Sequence, residues 1–143
     1  MKPALLTAAL AGLLLMLTPL VLEQFGSSSP PGNRVLPVEQ AFVIDHRRDG
    51  DILTVNITIA PEAYLYRHKL AAEGHHVELN AWQPPEGEAH EDEYFGKSQV
   101  YRNQVELRLP LRHAGPDARV MLDYQGCTTG LCYPPQRVEL VLP

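Results

Sequence analysis

The sequence has 143 residues, 45% of them hydrophobic and 20% charged, and a formal net charge of −5. That length allows one domain with a real core and little else. The acidic balance, with no basic run anywhere, argues against nucleic acid as a partner.

Lys2 precedes an almost unbroken apolar run from Ala4 to Leu22, 19 residues long. About 20 residues cross a bilayer as a helix, and no A-x-A cleavage site follows. Residues 1–23 therefore read as an uncleaved signal anchor, with a cleaved signal peptide as the alternative. Lys2 is expected to stay cytoplasmic, and in both readings everything after Glu23 is exported. Phe25 to Pro37 is rich in Ser, Gly and Pro, so residues 24–37 read as a flexible tether. The folded domain is expected over residues 38–143. With Lys2, Arg34 and Glu23 set aside, ten Lys and Arg in that domain face sixteen Asp and Glu.

From Val38 the pattern is mostly period two. Phe42 and Ile44 alternate with Val43 and Asp45, and Asp49-Gly50 marks a hairpin turn. Leu53, Val55, Ile57 and Ile59 then alternate with polar residues as a half-buried strand does. Pro61 to Gly74 leans towards helix on local rules, with Pro61 as a start and Gly74 as a stop. Against that, Tyr64-Leu65-Tyr66 alternates as a strand would.

His75 to Asn80 is a short strand candidate, followed by Trp82 and a Pro-Pro turn. Glu86 to Gly96 reads as an acidic loop ending in Tyr94, Phe95 and Gly96. Two short strands around Arg102-Asn103 occupy Val100 to Leu111. Val120, Leu122 and Tyr124 alternate towards a loop that holds both cysteines, and Val138, Leu140 and Leu142 alternate away from it. Short strands with turn signals every 8–12 residues or so favour an all-β antiparallel sandwich.

The cysteine loop, Gly126 to Pro135, is the most distinctive stretch. Cys127 and Cys132 are the only cysteines, and Gly126, Gly130, Pro134 and Pro135 surround them. Two thiols on one tight bend either form a structural disulfide or cycle between oxidised and reduced forms. A bridge closing so short a loop restricts the unfolded chain by only about 2 kcal/mol, against nearly 5 for a hundred-residue loop. Small disulfides at a bend also exchange readily. A redox role is favoured on these grounds. The acidic segment with Tyr94 and Phe95 fits a lid over that disulfide, its carboxylates disfavouring the thiolate. Six histidines invite a metal reading, with His75, His76 and the cysteines as copper or zinc ligands. The spacings match no standard zinc pattern, so no metal or other cofactor is expected.

The segments AYLYRHKL, HEDEYFGKSQVYRNQVEL and DYQGCTTGLCYPPQRVEL resemble, in order, the N-terminal periplasmic domain of the thiol:disulfide interchange protein DsbD. The resemblance runs from about Glu39 to Val141. It implies an immunoglobulin-like β-sandwich carrying one redox-active cysteine pair, with the Tyr64 region as strand. It also implies electron transfer from a thioredoxin-like donor to periplasmic disulfide isomerases and cytochrome-maturation thioredoxins. By that resemblance Cys132 forms mixed disulfides and Cys127 resolves them. Asp92, Glu93, Tyr94, Phe95 and Gly96 make the cap loop, Tyr94 aligns with the family's shielding Phe, and Tyr64 and Tyr66 lie beside the active site. Two departures stand out. Four residues separate these cysteines where the family usually has five. The sequence also ends at Pro143, without the family's membrane and thioredoxin-like domains, which implies a separate membrane electron donor. The contrasting reading is an immunoglobulin-like binding module whose disulfide is purely structural.

Overall fold

The computed structural model describes residues 35–143. The expected signal anchor and most of the expected tether lie outside the described residues. One helical turn, α1 (Val38–Ala41), leads into β1 (Phe42–Asp49), β2 (Ile52–Ile59) and β3 (Tyr64–Tyr66). A 3₁₀ turn (Arg67–Lys69) precedes β4 (Ala71–His75), β5 (Glu78–Leu79), β6 (Glu88–Asp92) and β7 (Gly96–Tyr101). Then follow β8 (Gln104–Arg112), β9 (Arg119–Tyr124), β10 (Gly126–Thr128), β11 (Leu131–Cys132) and β12 (Gln136–Val141).

The strands form three antiparallel sheets, ordered β1-β2-β8-β5, β12-β9-β4 and β11-β10-β3-β7-β6. Register follows the alternation. Phe42 pairs with Ile59, and Val55 pairs with His46 on one side and Leu107 on the other. Inward-facing residues of all three sheets meet in one core that includes Phe42, Leu53, Val55, Leu65, Leu107, Leu109, Val120, Leu122 and Leu140. Most of these are wholly shielded from water, and fully burying each such side chain is worth about 1.5–3 kcal/mol. The architecture is an immunoglobulin-like antiparallel β-sandwich.

Local rules fail at three places. The helical lean over Pro61 to Gly74 is overturned: the segment forms β3, one 3₁₀ turn and β4. Tyr64, Leu65 and Tyr66 are all buried because β3 is covered on both faces. Leu65 enters the main core, while Tyr64 and Tyr66 join a second cluster with Val100 and Cys127. The pairing partners that impose this, β7 and β10, are remote in sequence. Half of the supposed acidic loop is strand, since β6 pairs with β7 from Glu88↔Val100 to Asp92↔Gly96. His75 to Asn80 is likewise split: β4 ends at His75, His76 takes φ +55°, and β5 follows. The two strands around Arg102-Asn103 are as expected but belong to different sheets, and Asn103 at φ +66° lies between them.

Candidate functional site

The second cluster lies on the outer face of the five-stranded sheet and is built around the cysteine hairpin. β10 and β11 pair with Cys127 opposite Cys132 and Thr128 opposite Leu131, leaving Thr129-Gly130 as the loop. Gly130 has φ +76°, the left-handed value that the second loop position of a type II turn needs. Gly126 answers a different demand, because a Cβ there would run into the Phe42 ring and the Tyr64 carbonyl. Neighbouring backbone fixes the hairpin's base. Tyr133 N–H donates to Gly126 O (3.0 Å), Tyr66 N–H to Gln125 O (3.0 Å), and the buried Gln125 amide to Tyr133 O (3.0 Å). Tyr133 OH also reaches Leu36 O (2.7 Å), which ties the incoming chain to the hairpin.

Cys127 and Cys132 form a disulfide. Their surroundings differ. Cys127 has no exposed surface, whereas Cys132 is half-buried and stands next to the exposed Leu131. Tyr66 Oη lies 3.2 Å from Cys127 Sγ and 3.9 Å from Cys132 Sγ.

Asp92 organises the opposite wall. Its Oδ1 accepts the backbone N–H groups of Tyr94 (3.0 Å) and Phe95 (2.9 Å), the side-chain-to-backbone pattern that makes Asp a turn former. Its Oδ2 accepts from Tyr64 OH (2.9 Å) and Tyr66 OH, and His90 Nε2 stands 3.1 Å away. One carboxylate thus holds the Glu93-Tyr94-Phe95 tip, with Gly96 at φ +63° closing it, against the two tyrosines nearest the sulfurs. Burial pushes the Asp92 carboxyl up, but hydrogen bonds from Tyr66, Phe95, Tyr64 and Tyr94 outweigh it and hold the group well below the usual carboxylate range. Burial first, and then the Asp92 contact, push the Tyr66 hydroxyl far up, so it stays neutral. Tyr64 is raised for the same leading reason.

The expected site residues therefore gather in one place: Cys127, Cys132, Tyr64, Tyr66, Asp92 and the cap from Glu93 to Gly96. Within the cap the two rings behave differently. Phe95 packs on Tyr66 (centroids 4.7 Å) and His68 (5.2 Å), with Lys69 Nζ 4.6 Å from its centroid. Tyr94 remains 42% exposed and Phe95 37%. Sequence reasoning missed His90, whose ring also stacks 4.4 Å from Tyr64. Its period-two spacing from Asp92 would have placed both on one strand face, had the segment been read as strand. His68 is held low first by burial and then by Lys69, with Asp92 opposing.

A family model described as the N-terminal part of the thiol:disulfide interchange protein DsbD matches residues 32–142. The chain belongs to that family. DsbD of Yersinia enterocolitica is 39% identical over 115 residues, covering 80% of this chain and 20% of its own length. DsbD of Photorhabdus laumondii is 40% identical over 108 residues, covering 75% and 19%. The chain thus spans about a fifth of the length of these DsbD relatives. Among solved structures, the DsbD N-terminal domain of Neisseria meningitidis in the reduced form superposes with TM-score 0.68 and 32% identity, covering 75% of this chain and 88% of that one. A complex between the DsbD N-terminal and PilB N-terminal domains of the same organism gives TM-score 0.66 and 32% identity, covering 76% and 88%.

Proposed function

We propose that this DsbD-type domain is a thiol–disulfide carrier that passes electrons between thioredoxin-like proteins through Cys127 and Cys132. The observation that carries the reading is the asymmetric burial of one disulfide beside Tyr66, whose hydroxyl is held by the same carboxylate that pins the Tyr94-Phe95 tip. A purely structural bridge has no use for a half-buried Cys132 next to the exposed Leu131, with the exposed Phe95 packed on the tyrosine that contacts both sulfurs, whereas a docking partner does. The Neisseria relatives support it: one was solved reduced, the other in complex with a partner domain.

In the reduced form, the Cys132 thiolate attacks a partner disulfide and expels one partner thiolate. Cys127 then loses its proton and attacks Cys132 Sγ in the mixed disulfide, expelling the second. Two electrons and two protons leave the carrier dithiol, the partner gains a dithiol, and the Cys127–Cys132 bond re-forms. Reloading is the reverse exchange with a reduced thioredoxin-like donor. Tyr66 donates its only proton to Asp92, so its oxygen is free to accept the Cys127 S–H of the reduced form. The Asp92 carboxylate disfavours a second negative charge close by and keeps the dithiol quiet until the cap is moved aside.

The reading places the domain in the periplasm, tethered to the inner membrane through residues 4–22. The test is trapping. Cys127→Ser leaves Cys132 free to accumulate mixed disulfides with thioredoxin-like proteins, and Cys132→Ser leaves none. Equal trapping by both variants would refute the assignment of roles. A wild-type bridge that no reduced thioredoxin-like protein can open would return the pair to a structural role.

A further inference from the structure

Ten Lys and Arg residues lie among the described residues. Six of them sit within ion-pair distance of a carboxylate: Arg47, Arg102, Arg108, Arg112, Arg119 and Arg137. Of the other four, three surround one spot. Arg67 and Lys97 line a recess of about 350 Å³ between the 3₁₀ turn and β7, and Lys69 stands over the Phe95 ring that forms its wall. Arg67 spends its Nε and one terminal nitrogen on the Pro85 and Pro84 carbonyls, which orient the guanidinium without neutralising it. Glu91 is the cross-strand partner of Lys97, yet the two make no ion pair within 4.0 Å. His68 and Gln99 complete the lining with Ser98, whose shielded Oγ has no hydrogen-bond partner among the described residues. Three cations without an ion-pair partner among the described residues, set beside the cap, are the exception in a chain of net charge −5, even with the Asp92 carboxylate of the cap acting on His68.

We infer that this recess is a docking subsite for an acidic side chain of the thioredoxin-like partner, an inference that rests on the electron-carrier reading. The recess, about 350 Å³, is concave and has room for an acidic side chain together with part of the segment that carries it, which favours a protein carboxylate over a flat membrane surface. The cations supply what an Asp or Glu head needs: charge, and N–H donors free to bond it. The site is also coupled to the cap. Phe95 is at once the wall of the recess, the ring on which Lys69 rests, and the ring packed on Tyr66. A carboxylate that draws Lys69 away removes one of the contacts holding Phe95 against Tyr66, the ring that contacts both sulfurs. Electrostatic docking of this kind acts chiefly on the association rate and is screened by salt.

The experiment uses the oxidised protein and measures its reduction by the reduced N-terminal domain of Neisseria PilB and, separately, by the uncharged dithiothreitol. Lys69→Glu/Lys97→Glu should lower the ratio of protein to dithiothreitol rates about tenfold. The protein rate of wild type should fall steeply with added salt, and that of the double variant only weakly. A Lys→Glu pair that leaves the ratio and the salt slope at wild-type values would overturn the subsite while leaving the carrier reading intact. Wild type that exchanges with dithiothreitol but with no thioredoxin-like protein would remove the carrier reading, and this one with it. Binding of wild type, but not of the double variant, to vesicles of anionic phospholipid without any change in the rate ratio would assign the cations to a membrane instead.

Discussion

Replacing Asp92 with Asn tests whether one carboxylate holds the site together. The amide keeps an oxygen for the Tyr94 and Phe95 N–H groups but sets an NH₂ where Tyr64 OH, Tyr66 OH and His90 converge. Hydrogen bonds to an ionised group are worth about 1.5–3 kcal/mol each. The two hydroxyls can turn to accept from the new amide and recover part of the loss. The net expected cost is about 2–4 kcal/mol at neutral pH, a large share of the roughly 5–15 kcal/mol that stabilises a domain. That corresponds to a fall in Tm of roughly 10–15 °C. The pH dependence follows from the depressed Asp92 pKa. Unfolding restores the ordinary value, 3.8, so the unfolded chain takes up a proton before the folded one does. The stabilisation is therefore complete above the ordinary carboxylate range and drains away below it. Denaturant unfolding of both oxidised proteins, followed by circular dichroism at pH 7 and pH 3, should show the wide gap at pH 7 narrowing at pH 3. A gap under about 1 kcal/mol at pH 7, or one indifferent to pH, would refute the role given to Asp92.

Other substitutions separate the parts of the site. Phe95→Ala removes the ring on Tyr66, and Tyr94→Ala tests the shielding position implied by the family resemblance. In the reduced protein, iodoacetamide should alkylate Cys132 faster in a variant that loses the shield, and unchanged rates in both would dismiss a ring lid. In the Asp92→Asn protein the Cys132 thiol should titrate at lower pH than in wild type, because the nearby negative charge is gone; an unaltered alkylation–pH profile would contradict that. Gly126→Ala forces a methyl group into the Phe42 ring and the Tyr64 carbonyl. A loss of at least about 1–3 kcal/mol in urea unfolding is expected, and a neutral result would mean the hairpin base has slack.

The strands with one wet face were legible in the sequence. In β8, β9 and β12, a period of two records a local fact, that alternate residues face the core and the more exposed side. The bend between the cysteines was legible too, because Gly130 permits a left-handed angle and Pro134 and Pro135 fix theirs within a few residues, although its pairing as β10 and β11 was not. Tyr64-Leu65-Tyr66 was not readable this way: a strand covered on both sides shows no alternation of burial, so only its pairing with β7 and β10 decides strand over helix. The same holds for the chemistry of the site. Composition announced carboxylates, aromatics and two sulfurs. That Asp92 rather than its acidic neighbours would gather Tyr64, Tyr66, His90 and the cap depended on hydrogen bonds spanning up to 28 residues of sequence. Such bonds exist only once the sheets have brought those residues together, and local pattern carries no trace of them.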